Sequence, residues 1–317
     1  MSNEQKTRCI VFGGCGFIGS HVAEKLVKAG HDVAIFDKLY VREANIEPFR
    51  DRVRLIEGDF ANETDIETAL DGIDIAFHFV GTTLPQTSME NPVYDIESNL
   101  IATVRMLEVC VRRGVSRVVF SSSGGTVYGI PETLPISEEH PTRPMCSYGI
   151  TKLAVEKYIT LYHRLHGLDY RILRFSNPYG PRQATDAAQG AVAVFLGHVL
   201  HDSPITIWGD GSVKRDYIYI GDTVEACVAA ATADIEPGIY NVGSGRSTSL
   251  NELLDVIKSV TGKLPEVKHT PARRIDVPEN VLDVSKIKSA LNWSPRTSLR
   301  DGIERTWKWL KERGGKR

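Results

Sequence analysis

The stretch Cys9-Ile10-Val11-Phe12-Gly13-Gly14-Cys15-Gly16-Phe17-Ile18-Gly19 decides the fold. Residues 9–12 are apolar and read as a buried strand, and residues 19–28 read as the helix after it. Between them Gly13, Gly16 and Gly19 stand three apart. Glycine permits a tight turn there and lets a ligand approach the backbone. The start of the helix offers unpaired N–H groups and a positive dipole end. Gly13, Gly16, Phe17, Ile18 and Gly19 together therefore suit the pyrophosphate of a dinucleotide. Glycines alone equally describe a plain strand–helix turn, but the context goes further. Residues 33–36 form the next apolar strand and end on Asp37, where a carboxylate accepts the ribose hydroxyls of NAD and repels a 2′-phosphate. Alternatively Asp37 is a simple turn residue, and Lys38 and Arg42 close behind leave an NADP preference open.

The same rhythm continues outward from this turn. Apolar strands at 53–56, 75–80, 118–120 and 170–175 alternate with helical segments at about 92–113 and 148–166. Leu100, Val104, Leu107 and Val111 recur at helical spacing in the first of these, with Pro92 suited to its start and Gly114 to its stop. That alternation predicts an α/β fold built on a doubly wound parallel sheet with right-handed crossovers. Asp59-Phe60 closes one strand, where a carboxylate can meet an adenine amino group. Phe79-Val80-Gly81 closes another, where the backbone can pass beneath a cofactor. Both serve equally well as ordinary strand ends. Residues 177–210 are richer in Gly, Pro and short helical pieces. A strand at 216–220, helices at 222–233 and 250–260, and an amphipathic C-terminal helix follow. We expect residues 1–176 to form a dinucleotide-binding domain to which 213–245 return, and 177–317 mainly to form a smaller substrate-binding lobe.

Composition narrows the function classes. With 42% hydrophobic and 25% charged residues the chain is an ordinary globular protein, and its net charge of -2 supplies no attraction to nucleic acid. No run of about 18 apolar residues predicts a membrane span, and the polar first eight residues lack the apolar core of a signal peptide. A cytoplasmic location is expected. Cys9, Cys15, Cys110, Cys146 and Cys227 are odd in number and contain no C-x-x-C pair, which fits reduced thiols rather than disulfides or a metal site.

The candidate chemistry lies in Ser147-Tyr148-Gly149-Ile150-Thr151-Lys152. Residues four apart share one face of a helix, so the Tyr148 phenol and the Lys152 ammonium are neighbours. A phenol titrates near pH 10 in water, and Lys152 and a cationic nicotinamide ring are together expected to draw that value toward neutrality. Tyr148 could then take a hydroxyl proton while hydride leaves the same carbon for NAD. Without the glycine turn upstream, this pair would read as a packed Tyr and a solvated Lys.

With these segments in hand, the chain resembles the extended short-chain dehydrogenase/reductase superfamily, and within it the NAD-dependent nucleotide-sugar epimerases and dehydratases, most of all UDP-glucose 4-epimerase-like proteins. GGCGFIGSH at 13–21, GDF at 58–60, HFVG at 78–81, SSSGGTVYG at 121–129, SYGITK at 147–152, RFSNPYGPRQ at 174–183, WGDGSVKRDYIYI at 208–220 and RRIDVP at 273–278 carry the likeness in the expected order. The resemblance implies a Rossmann-type sheet, bound NAD, an NDP-sugar substrate, commonly a UDP-sugar, and a homodimer built on the two long helices. It implies that Tyr148 is the acid/base, with Lys152 activating it and holding the nicotinamide ribose. It places Ser121 at the cofactor and makes Asn99 a support of the active-site helix. Asn177, Arg215 and Arg273 would meet the substrate pyrophosphate, and Asp276 the nucleoside ribose. Asn280 stands where some relatives carry a bulky Tyr, so a smaller residue would admit an N-acetyl group. The family's usual Ser/Thr that bonds the reacting hydroxyl falls on Gly124, which leaves Ser123 first and Thr126 second as substitutes. Where the dehydratases carry an Asp-Glu pair, this chain has Gly125 and Thr126, which disfavours dehydration. The expected reaction is inversion at C4 of the sugar through a transient 4-ketose. The alternatives are reduction of an NDP-4-keto-6-deoxysugar and dinucleotide binding without catalysis.

Overall fold

Four-residue apolar runs followed by amphipathic helices leave one good arrangement, strands buried side by side with helices over both faces. A computed structural model describes residues 6–38, 43–187, 189–272 and 277–314 and has this arrangement. In chain order the first elements are strand β1 (Arg8–Phe12), helix α1 (Phe17–Lys28), β2 (Asp32–Asp37), β3 (Arg54–Glu57), α2 (Glu63–Ala69), β4 (Ile75–His78), α3 (Pro85–Glu90), α4 (Pro92–Asp95) and α5 (Ala102–Arg113). Then come β5 (Arg117–Ser123), α6 (Ser147–His166) and β6 (Asp169–Phe175). The remainder is β7 (Asn177–Tyr179), α7 (Ala191–His201), β8 (Ile205–Trp208), β9 (Lys214–Tyr219), α8 (Ile220–Thr232), β10 (Gly238–Val242), β11 (Ser247–Ser249), α9 (Leu250–Thr261), β12 (Val267–Thr270), β13 (Glu279–Asn280), α10 (Ser285–Leu291) and α11 (Leu299–Gly314).

The chain divides into two units. The first comprises residues 1–127, 144–174 and 224–240. Its seven-stranded sheet runs β10-β6-β5-β4-β1-β2-β3, and β1 pairs in parallel with both β2 and β4. Strand order reverses at β1, so the carboxyl ends of β1 and β4 diverge there and leave the crevice in which ligands of doubly wound sheets sit. Ile10, Phe12, Phe36, Met106, Phe120 and Ile172 belong to the core of this unit. Each such side chain contributes on the order of 1.5–3 kcal/mol by leaving water.

The second unit comprises residues 128–143, 175–223 and 241–317. β9 is central to its small sheet and pairs with β7, β11 and β13, while β8 pairs with β12. Its own core holds Phe195, Leu196, Ile207, Leu253, Ile257 and Ile303.

Two stretches differ from the sequence expectation. Residues 92–113 are not one regular helix, because a π-helical turn, Ile96–Ile101, separates α4 from α5. The Asn99 side-chain amide donates to the Asp95 carbonyl oxygen at 3.1 Å, competing for the acceptor that a regular α-helix reserves for the Asn99 backbone N–H. Residues 177–210, expected as short helical pieces, contain the eleven-residue α7 and two strands.

Candidate active site

The glycine turn is tied to its neighbours by the backbone. Gly13 N–H donates to the Phe36 carbonyl at 2.9 Å, and Gly16 N–H to the Gly13 carbonyl at 3.1 Å. A Cβ on Gly19 would lie 2.3 Å from the Gly13 oxygen, so only glycine lets α1 start this close to the turn. The first turn of α1 contains no acidic side chain and no side-chain cap, which leaves its first N–H groups, those of Phe17, Ile18 and Gly19, for an anion.

Beside the turn lies a cavity of about 800 Å³ whose walls belong entirely to the first unit. Gly13, Gly16, Asp37, Asp59, Phe60, Phe79, Val80 and Gly81 line it, so the structure brings these sequence-predicted residues together. The Asp37 carboxylate accepts from the Cys15 and Lys38 backbone N–H groups at 2.9 Å each. A carboxylate has roughly four lone-pair sites, which leaves room for two ribose hydroxyls. Asp59 already accepts from Ala61 N–H, and Phe60 packs on Phe12 and His78 in the core. The cavity size, the bare helix start and the half-engaged Asp37 fit NAD.

Among the wall residues that sequence reasoning missed are Asn45, Thr82 and Ser98. Asn45 donates to the Cys15 carbonyl, and Thr82 shares a 2.6 Å hydroxyl bond with Ser98. Their signal is tertiary, since none belongs to a local pattern. Asn99 does not line the cavity. Its oxygen accepts from Thr82 N–H at 3.0 Å and its amide donates to Thr82 Oγ1 and to Asp95, so it holds the wall from behind.

Tyr148 and Lys152 lie on the first turns of α6, with the Lys152 ammonium 5.7 Å from the centre of the Tyr148 ring. That ammonium donates to the Ser121 carbonyl at 2.8 Å and sits 4.6 Å from the centre of the Phe120 ring. Ser121 in turn donates its hydroxyl to the His78 carbonyl. Gly149 makes this approach possible: a Cβ there would stand 2.9 Å from Pro144 Cβ and 3.0 Å from the Thr126 carbonyl oxygen. The loop after β5 is thereby held against the turn that carries Tyr148.

In the protein alone, burial pushes the Tyr148 phenol up, with the Cys146 thiol and Asp95 adding to the rise. Burial also lowers Lys152 to about 8, against the opposite pull of Asp95 and Glu156. The physical reason is that a low-dielectric site disfavours both charged forms.

The hydroxyls of the loop after β5 are not equivalent. Ser122 donates to Glu156 at 2.5 Å, and Glu156 also accepts from the buried Arg174 at 2.9 and 2.7 Å. Ser123 is half-buried, and among the described residues no hydrogen bond holds its Oγ. A Cβ on Gly125 would stand 3.8 Å from that oxygen, so this side of Ser123 is open. Thr126 Oγ1 is enclosed and has no hydrogen-bond partner.

Three further predicted residues lie in the second unit. Asn177 on β7 donates its side-chain amide to the Asp216 carbonyl at 3.1 Å. Arg215 on β9 donates to the Lys214 and Val277 carbonyls at 2.8 and 2.6 Å, which fixes its guanidinium beside the chain that follows residue 276. Asn280 stands opposite Arg215 in the β9–β13 pair and is fully buried. Arg273 and Asp276 lie outside the described residues. Among the described residues no cluster of three His, Cys, Asp or Glu side chains could hold a metal, and no helix is long and apolar enough to cross a membrane.

Comparison with known proteins bears on the same features. The profile described as the NAD dependent epimerase/dehydratase family matches residues 9–243. The chain is 38% identical over 304 residues, 95% of its own length and 98% of the other's, to a Methanocaldococcus jannaschii protein provisionally named UDP-glucose 4-epimerase. Among solved structures, it is similar to UDP-glucose 4-epimerase of Thermotoga maritima with UDP-glucose, at 34% identity and a TM-score of 0.91, covering 97% of this chain and 99% of that one. A second is the Thermus thermophilus UDP-glucose 4-epimerase complex with NAD, at 35% identity and a TM-score of 0.90, covering 96% and 99%.

Proposed function

The chain belongs to the NAD-dependent epimerase/dehydratase family, with NAD as its cofactor, and on that premise we propose that it inverts C4 of a UDP-hexose. The observation that carries this reading is the loop held against the Tyr148 turn: Ser123-Gly124-Gly125-Thr126 contains hydroxyls and no carboxylate. Loss of a hydroxyl needs an acid and a base beyond Tyr148, and this loop supplies neither. Inversion needs only proton and hydride transfer at one carbon.

Bound NAD supplies the hydride acceptor and donor and, through its charged ring, a second cation beside Lys152 that favours the buried phenolate. Tyr148 takes the proton from the C4 hydroxyl and, once the 4-ketose has turned its other face to the cofactor, returns one to the C4 oxygen as hydride returns to that face of C4. Lys152 holds the ribose and favours the phenolate. Ser123 takes the hydrogen bond of the reacting hydroxyl, because its oxygen is open and unengaged whereas Thr126 Oγ1 is enclosed. Arg215 and Asn177, together with Arg273 and Asp276, bind the nucleotide diphosphate in the second unit, and the compact Asn280 leaves room for an N-acetyl group. No net oxidation occurs, so NAD is regenerated in each turnover.

The protein is also proposed to act as a homodimer. Val93, Ile96 and Ile101 are exposed along the first long helical run, and Ile150, Tyr158, Leu161 and Leu165 form a stripe on α6. Apolar stripes of this length on a soluble protein mark an interaction surface.

The test is direct. UDP-glucose, UDP-N-acetylglucosamine and UDP-glucuronate are incubated separately with the protein and catalytic NAD+, without reductant, and the anomeric proton spectrum is recorded. A new C4-epimer signal supports the reading. Unchanged spectra in all three tubes, together with stoichiometric NAD(P)H consumption on a 4-keto-6-deoxysugar nucleotide, would replace it by a reductase.

A further inference from the structure

Asp95 ends α4, is wholly buried, and accepts side-chain hydrogen bonds from three hydroxyls and one amide. Its Oδ2 accepts from Ser147 Oγ at 2.8 Å and from Thr151 Oγ1 at 2.7 Å. Its Oδ1 accepts from Thr83 Oγ1 at 2.5 Å and from the Asn99 side-chain amide at 3.0 Å. A carboxylate has roughly four lone-pair sites, so these four donors saturate it. Ser147 and Thr151 bracket Tyr148 in the chain. Asn99 carries the same network to Thr82 on the wall of the dinucleotide cavity. The carboxylate also lies at the start of α6, where a negative charge complements the helix dipole. A buried carboxylate that merely filled space would not gather its donors from both sides of one tyrosine.

We infer that Asp95 is a positioning residue for Tyr148 and Lys152: by accepting hydroxyl hydrogen bonds from Ser147 and Thr151 it fixes the first turn of α6 against the wall of the cofactor cavity. The inference rests on the reading that Tyr148 transfers the proton. The Tyr148 backbone adds a separate anchor, since its N–H donates to Ser88 Oγ at 3.0 Å, so the carboxylate's role is to set the angle of the turn rather than to hold it in place alone. Asp95 touches no reacting atom in this account. Its effect passes through the orientation of the phenol, and a displacement near 1 Å at such a group lowers turnover by on the order of 100-fold.

The experiment uses the full chain loaded with NAD. Thr151→Val and the double variant Ser147→Ala/Thr151→Val remove the arms to α6 and leave the charge in place, while Thr151→Ser restores the hydroxyl. Three quantities are read: kcat and KM for the UDP-sugar that is turned over, Kd for NAD, and amide hydrogen exchange of the peptide covering residues 144–152. The inference expects kcat to fall about 10–100-fold in the double variant with KM and NAD affinity held within about twofold, and Thr151→Ser to stay within about threefold of the parent. It also expects faster exchange confined to the 144–152 peptide. Unchanged kcat or unchanged exchange in the folded double variant overturns it, as does a parallel loss of kcat, NAD affinity and KM, which would mark a general structural role. Should the parent protein turn over no sugar nucleotide, the functional reading fails, and the exchange data still decide whether Asp95 holds the turn.

Discussion

Tyr148 is a poor base in the protein alone, since burial holds its proton on, and this makes its dependence on neighbours testable. Tyr148→Phe is expected to lower kcat by about 10²–10⁴-fold, the range for loss of a general acid/base, while the Kd for NAD stays nearly constant. Ser123→Ala should lower kcat as well, and more than Thr126→Val. Steady-state kinetics with fluorescence titration of NAD checks all three variants. Lys152 gives a prediction about stability. Its folded value of about 8 lies below the ordinary 10.5, so between those values the unfolded chain binds a proton that the folded chain does not. Stability contributed at this site therefore rises with pH across that window, and the penalty of burying the ammonium is fully present below pH 8. The gap corresponds to on the order of 3 kcal/mol. Lys152→Met is expected to be the more stable protein at pH 7, with the difference shrinking as pH approaches 10. Urea denaturation of both proteins across that range checks this, and a pH-independent difference would refute it.

At the scale of elements, the glycine turn sets what α1 can do. Gly19→Ala places a methyl against the Gly13 carbonyl, and the helix must shift or the turn must open. A loss of about 1–3 kcal/mol is expected, as for other overpacked sites, with a weakened Kd for NAD. Thermal denaturation and NAD titration read the two effects. This turn and the Tyr148–Lys152 spacing were legible in the sequence because each is a pattern within seven residues. The π turn at Ile96–Ile101 was not, because it depends on a side-chain amide of Asn99 bonding back to Asp95. Helix α7 was missed for a different reason. Its residues Ala191-Val192-Ala193-Val194-Phe195-Leu196 are apolar on every side, so no periodicity separates a buried helix from a buried strand. The Asp95 network was illegible because its members Thr83, Asn99, Ser147 and Thr151 meet only after folding.

For the whole molecule, the alternation of strands and helices predicts the parallel sheet, and the sheet has the expected switch in strand order at β1. The exposed stripe on α6 leads to a prediction about assembly. Leu161→Glu/Leu165→Glu changes two exposed residues and should leave each subunit folded. Light scattering coupled to size exclusion is expected to show a dimer for the parent and a monomer for the variant. Equal masses for the two would remove the stripe from the account.

The central claim is that hydride leaves and returns to one carbon of one substrate molecule, and UDP-glucose deuterated at C4 tests it most directly. The sugar is incubated with the protein and catalytic NAD+, and the epimer is examined by NMR and mass spectrometry. The account predicts an epimer that keeps deuterium at C4 in full. An epimer that has lost the label, or the absence of any C4 epimer from this or the other UDP-hexoses, would contradict it.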